Sequence, residues 1–165
     1  MEYLSAFDDK QVDGVILVAT VFSAAYKRIL KNLSVPVVIV GQQLSGYCCV
    51  FHDDYHASYD LTELLLKKGR NSLGYIGAIQ QDKAVGAVQY LQEHGIRIPE
   101  QILVAGQGDS DMSKVTSPPL ITVHYSYEKS GELAIQMLME LLEQKETAVK
   151  EVKLGYYLVD PDPAI

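Results

Sequence analysis

Short apolar runs recur along this chain and predict strands that are buried on both faces of a sheet. Between the runs, apolar residues spaced three or four apart predict helices with one buried side. Ser23 suits the N-cap of the first such helix, 24–33, which lies between the apolar runs 12–19 and 35–40. A strand, a helix and a strand over so short a stretch form a βαβ unit with parallel strands. The sequence therefore predicts an α/β protein.

The same pattern continues to the end of the chain. Gly69 and Gly95 are placed where two of the predicted helices should stop. The helix predicted at 128–144 has the widest apolar side, which suggests packing against more than one neighbour, such as another subunit. The further strands are predicted at 47–51, 73–79, 102–105, 120–123 and 149–159, and the further helices at 53–68, 82–94 and 128–144.

A polar, glycine-rich loop, 106–111, follows the strand predicted at 102–105, and two tyrosines, Tyr125 and Tyr127, lie just beyond the next strand. Open α/β sheets bind ligands at the carboxyl ends of their strands. The loop and the tyrosines therefore predict a binding crevice, around which the rest of the chain can be placed.

Composition narrows the functional classes. The chain has 165 residues and a net charge of −7, whereas a surface that grips nucleic acid is normally basic. No apolar run approaches the ~20 residues of a membrane span, and the first residues do not resemble a signal peptide. We therefore expect a cytoplasmic protein that makes no membrane contact and does not grip DNA by itself.

The residue types that carry catalysis or bind metals are not grouped in this sequence. The four histidines lack metal-ligand spacing, and the adjacent Cys48 and Cys49 are interpreted as reduced residues on a strand rather than as a zinc site. No serine has the context of a nucleophile elbow, and no acid–base pair can be assembled. We therefore expect no enzyme activity, no metal and no cofactor.

Five segments, in this order, resemble the effector-binding domain of the LacI/GalR family of bacterial transcription regulators. The phrase AGQGDS (105–110) is similar to sucrose-operon repressors of Gram-positive bacteria within that family. The resemblance covers most of the chain from Val12 to Leu142. The segments are VDGVILVAT (12–20), VPVVIVG (35–41), HDDYHASYDLTELLLKKGRNSLGYIG (52–77), LQEHGIRIPEQILVAGQGDS (91–110) and SPPLITVHYSYEKSGELAIQMLMELL (117–142).

The resemblance implies a periplasmic-binding-protein-like fold of two Rossmann-like lobes with parallel sheets and a central cleft. The chain would cross three times between an N-terminal lobe, residues 1–48 and 121–145, and a C-terminal lobe, residues 49–120 and 146–165. A sugar would bind between the lobes. The core would form a homodimer and control operator DNA through a headpiece.

The sequence also departs from the family pattern. Nothing before Val12 resembles a helix-turn-helix headpiece, and the first strand–helix units of the N-terminal lobe are missing. The resemblance also implies that at least two further strand–helix units, about 60 residues, are missing where two family segments meet near Ala84 to Ala87. Periodicity alone predicts one helix over 82–94, whereas the resemblance predicts a break in it near Gly86.

The resemblance also suggests site residues. Asp54 corresponds to a position that carries a carboxylate for sugar hydroxyls, and its alternative role is a helix N-cap. The first acidic residue of the family's loop aligns with Gly108, so its role cannot be assigned to that position. Gln107 or Asp109 would take this role instead. The alternative is that the loop is a turn whose glycines serve only the backbone conformation. Tyr125 and Tyr127 would contact the effector or pack between lobes. Phe22 is suggested by its position alone and not by the resemblance, since it lies at a strand's carboxyl end and would form part of one wall of the cleft.

The expected function is thus to sense a sugar, such as sucrose or a phosphosugar, and to pass the bound state to DNA. A periplasmic sugar-binding protein would use the same cleft but would need an export signal. An α/β sugar-modifying enzyme is a further alternative, against which stands the absence of a recognisable catalytic set in the sequence.

Overall fold

The computed structural model describes residues 12–18, 22–69, 82–109, 111, 114, 116–143 and 148–161. The chain divides into two units, and it passes from one to the other three times. The first unit comprises Met1–His52 and Ser126–Gly155, and the second comprises Asp53–Tyr125 and Tyr156–Ile165. Each unit has its own β-sheet with helices against it, which confirms the α/β fold class.

The first unit is built on a four-stranded, entirely parallel sheet with the strand order β1-β2-β3-β6. Helix α4 packs on one face of this sheet, where Ala134 and Met137 meet Val38 and Val50. The opposite face buries Ile39 with the α1 residue Leu30. Its elements are β1 (Val15–Val18), α1 (Ala24–Asn32), β2 (Val37–Val40), β3 (Cys48–His52), α4 (Tyr127–Leu142) and β6 (Glu151–Leu154).

The second unit has a three-stranded sheet of order β4-β5-β7, in which β4 and β5 are parallel and β7 is antiparallel to β5. Helix α2 packs on this sheet, and Ala57 is buried against Val123 and Tyr125. Gly69, in the left-handed region at φ 80°, follows the end of α2. The elements are α2 (Asp54–Lys67), α3 (Asp82–Glu93), β4 (Ala105–Gln107), β5 (Ile121–Tyr125) and β7 (Tyr156–Val159).

The boundaries of the two units differ from the predicted lobes, 1–48 with 121–145 and 49–120 with 146–165. Strand β3 belongs wholly to the first unit because it pairs with β2, and β5 belongs to the second because it pairs with β4 and β7. The strand region predicted at 149–159 is two strands, β6 and β7, which lie in different sheets on either side of Gly155.

Two local predictions are wrong. In place of the strand expected at 102–105, the structure has the short strand β4, Ala105–Gln107, and Ile102 lies before it. Ile102 is 39% exposed, so it is not buried on both faces as the prediction required. Helix α3 continues through Gly86, so the predicted break does not occur there. An exposed helix position tolerates glycine at a cost of ~1 kcal/mol relative to alanine. The strand predicted at 73–79 lies outside the described residues.

Candidate functional site

In the second unit, polar side chains meet at the carboxyl ends of the two parallel strands. Gln107, the last residue of β4, donates a hydrogen bond from its Nε2 to Ser58 Oγ on helix α2, at 3.1 Å. Gly108 follows with φ 85°, and its N–H donates to the carbonyl oxygen of Val123 at 2.7 Å. Glycine suits this conformation because a side chain would be strained in it. The loop therefore turns at Gly108 while Gln107 reaches towards the helix.

Asp109 is held against the next strand. Its Oδ2 lies 3.2 Å from Nδ1 of His124 on β5 and 3.6 Å from Nζ of Lys114. In the part of the chain that the structure describes, its Oδ1 is buried and has no hydrogen-bond partner. The His124 ring stacks on Tyr157 of β7, with the ring centroids 4.4 Å apart. Asp109 and Tyr157 thus fix the position of the His124 ring.

The N-terminus of α2 carries two carboxylates. Asp53 is the N-cap residue, and both of its carboxylate oxygens lie 2.9 Å from Nδ1 of His56. Asp54 is the first residue of the helix, and it is exposed. Residues four apart share a helix face, so Asp54 lies on the same face as Ser58, the partner of Gln107. Helix α2 therefore carries Asp54 and, through Ser58, contacts Gln107.

In the first unit, a second polar group lies at the carboxyl end of β3. The His52 ring meets the Tyr127 ring edge-on with centroids 5.5 Å apart, and its Nε2 lies 3.3 Å from Ser130 Oγ. Tyr127 begins α4 and is exposed, whereas Ser130 is buried. Phe22 is half-buried and packs against the core cluster that contains Leu30. Of the candidate residues, Phe22 and Tyr127 therefore belong to the first unit.

Tyr125 lies inside the core of the second unit. It is part of strand β5 rather than beyond it, it is 4% exposed, and it packs with Ala57 and Val123. Its neighbour across the ladder is Tyr156, whose hydroxyl donates to Asp60 Oδ2 at 2.5 Å. This placement favours a packing role for Tyr125.

The bond between Tyr156 and Asp60 predicts a pH dependence of stability. The Asp60 carboxylate accepts a hydrogen bond from the neutral phenol, and both desolvation and the negative charge of Asp60 disfavour the phenolate. Together these effects raise the pKa of Tyr156 from 10.0 to about 12. Because the folded pKa is the higher one, the stabilisation is complete below pH 10 and is lost as pH rises towards 12. Tyr156→Phe should therefore flatten the fall in urea midpoint between these pH values, whereas Tyr55→Phe, at an exposed tyrosine, should keep it. An unchanged slope in Tyr156→Phe would contradict this assignment.

The sequence suggested Asp54 through the family resemblance and Gln107 and Asp109 through the loop after a strand, but it gave no sign of their partners. His124, Ser58 and Tyr157 carried no signal for this site in the sequence, because each is brought to it only by sheet pairing or helix packing. His52 was missed for the same reason.

Among the described residues, no group of three or more His, Cys, Asp or Glu side chains could hold a metal ion. Nor does any described helix have the length and apolar character needed to cross a membrane.

Comparison with known families agrees with this architecture. The family described as periplasmic binding protein-like domain matches residues 76–160, just over half of the chain. The chain belongs to this family. The match includes β4, β5 and β7, the three strands of the second sheet, and thus the loop that carries Gln107 and Asp109.

The relatives are transcription regulators. The sucrose operon repressor of Staphylococcus xylosus is 22% identical over 202 residues, which cover 88% of this chain and 63% of the repressor. Catabolite control protein A of the same organism is 33% identical over 104 residues, 59% of this chain and 32% of that protein. The resemblance to LacI-family effector-binding domains is thereby confirmed, and these relatives are regulators rather than enzymes.

A solved structure shows the same fold. The complex of the transcriptional regulator CelR with cellobiose superposes with a TM-score of 0.82 at 18% identity, over 96% of this chain and 68% of that one. The chain spans less than two thirds of the length of the curated relatives it matches. The alignment with the sucrose operon repressor is longer than this 165-residue chain, so the repressor has residues within the aligned region that this chain lacks.

Proposed function

We propose that this chain is the effector-binding part of a LacI-family transcriptional repressor and that its effector is a saccharide. The observation that carries the proposal is the polar edge of the second sheet, where Gln107, Asp109 and His124 lie at the carboxyl ends of β4 and β5. Asp54, on the helix face that includes Ser58, extends this edge. The name of the sucrose operon repressor and the cellobiose in the CelR structure support the choice of a saccharide.

The chemistry of this edge suits a molecule rich in hydroxyl groups. A hydroxyl both donates and accepts, so it can bond to a carboxylate, an amide or an imidazole. The exposed Tyr157 ring, which already stacks on His124, offers an aromatic surface for the C–H side of a sugar ring. Oδ2 of Asp109 contacts His124 and Oδ1 is buried, so we assign Asp109 the role of orienting the His124 ring. Asp54 and Gln107 would bond to the sugar directly.

Sugar binding would be coupled to DNA binding through a change of conformation. A ligand shifts an equilibrium between two states only by its difference in affinity for them. Operator DNA would be bound by a headpiece and not by this chain, because the chain is acidic, with a net charge of −7. This binding would take place in the cytoplasm. Sucrose and its phosphorylated form are the first ligands to compare.

Asp54→Ala is expected to weaken sugar binding roughly tenfold to a hundredfold, since a hydrogen bond to a charged group contributes ~1.5–3 kcal/mol. The unfolding midpoint should change little because Asp54 is exposed at the start of α2. Isothermal titration calorimetry with sucrose and sucrose phosphate measures the affinity. Asp13→Ala is the matched control, because it removes the same charge from an exposed carboxylate of the first unit. Equal affinities for wild type and Asp54→Ala would remove Asp54 from the site.

A further inference from the structure

Carboxylates outnumber cations among the side chains that the structure describes at the polar edge of the second sheet. Asp53 and Asp54 stand at the start of α2, and Asp109 and Asp111 lie in the loop after β4. The loop also carries Lys114, whose Nζ lies 3.6 Å from Oδ2 of Asp109 and 3.6 Å from Oδ1 of Asp111. The charge of Lys114 is thus shared between two carboxylates.

The other lysine and arginine side chains described in the second unit lie away from this edge. Lys67 ends α2, whose 14 residues separate it from Asp54 by about 20 Å. Lys68 follows at the C-cap of the same helix. Arg97 precedes β4, whereas the polar edge follows that strand. These cations are therefore too far along the chain's elements to serve a ligand at the edge.

Other groups that attract an anion are also matched by carboxylates. Nδ1 of His56 lies 2.9 Å from both carboxylate oxygens of Asp53, and Nδ1 of His124 lies 3.2 Å from Oδ2 of Asp109. The N-terminus of a helix is the positive end of its dipole and commonly binds phosphate. At α2 that end carries Asp53 and Asp54. A phosphate group arriving there would therefore meet two negative charges.

Hydrogen bonding and charge both distinguish a neutral sugar from a phosphorylated one at such an edge. An ionised carboxylate only accepts hydrogen bonds. A sugar hydroxyl can donate to it, whereas a phosphate group near neutral pH offers acceptor oxygens and carries a charge of about −1.5 to −2. Like charges brought together make a site reject a ligand that it would otherwise fit. The edge therefore favours hydroxyl groups and disfavours phosphate.

We propose that the effector is an unphosphorylated saccharide and that the carboxylates of this edge exclude its phosphorylated form. This inference rests on the proposed function and narrows its ligand from saccharides in general to uncharged ones. Asp111 provides the test of the electrostatic part, because its side chain is fully exposed and it has no assigned contact with the sugar. Its charge can be removed without removing a proposed hydrogen bond to the ligand.

Isothermal titration calorimetry of the 165-residue chain with sucrose and cellobiose, each against its phosphorylated form, tests the proposal. The wild type should bind the phosphorylated form at least about tenfold more weakly than the neutral one. Asp111→Asn should reduce this ratio of dissociation constants about twofold to fivefold, because an exposed charge acts largely through water. Asp13→Asn is the control, since it removes the same charge from an exposed position of the first unit, and it should leave the ratio unchanged.

Added salt gives an independent check. Salt screens charges that are exposed to water, so the ratio should fall as the salt concentration rises. A phosphorylated sugar that binds the wild type as tightly as its neutral form would overturn this inference but leave the proposed function standing. So would equal changes of the ratio in Asp111→Asn and Asp13→Asn. If neither the neutral nor the phosphorylated sugars bind, the proposed function fails and this inference fails with it.

Discussion

Lys68→Ala is expected to destabilise the second unit by about 3–5 kcal/mol. Lys68, at the C-cap of α2, places its Nζ 2.9 Å from Oδ2 of Asp160, just after β7. The lysine side chain is only 6% exposed and that of Asp160 is 16% exposed. Removing the lysine takes a positive charge away from a carboxylate that has little access to water. Its charge then costs far more than the lost attraction alone.

Lys67→Ala is the matched control for this ion pair. Lys67 lies one residue earlier and pairs with Glu63 at the same distance, 2.9 Å, but both side chains are more than half exposed. Exposed pairs contribute ~0.2–1 kcal/mol because water solvates both charges. Urea unfolding of both variants gives the comparison. Similar losses for Lys67→Ala and Lys68→Ala would show that burial of the Lys68 pair has no energetic consequence.

Ile39→Ala is expected to cost about 2–5 kcal/mol, the second large effect. Ile39 lies in the middle of β2, is fully buried, and packs with Val15, Leu30 and Cys49. Strand β2 has neighbours on both sides, β1 and β3, so the surrounding residues have little freedom to fill the cavity. Ile39→Val, which removes one methylene group, should cost only ~0.5–1.5 kcal/mol. Equal losses for the two variants in urea unfolding would contradict this description of the core.

The sequence predicts those elements best whose burial is set by local pattern. Strand β2 lies within the apolar run 35–40, and Ser23 caps α1 by accepting a hydrogen bond from the Tyr26 N–H at 3.3 Å. The pattern fails where tertiary contacts decide. The apolar character of 149–159 does not reveal that Gly155 separates strands of two different sheets, and Ile102 is apolar without being covered.

The candidate site divides in the same way. Carboxyl ends of parallel strands meet at one edge of a sheet, so Gln107 and Asp109 could be placed from sequence order alone. Their partners could not, because His124 reaches Asp109 only through the pairing of β5 with β4, and Ser58 reaches Gln107 only through the packing of α2. The residue type of Tyr125 does not reveal its environment. A tyrosine suits an effector contact, but Tyr125 lies on the buried face of β5 and is part of the core.

Titration of the 15N-labelled chain with sucrose, followed by two-dimensional NMR, tests the central claim most directly. The account predicts saturable shifts of backbone resonances at the carboxyl ends of β4 and β5, at Gln107, Gly108 and His124, and at Asp54. Shifts confined to the opposite ends of the strands, or an unchanged spectrum with sucrose, its phosphorylated form and cellobiose, would contradict it.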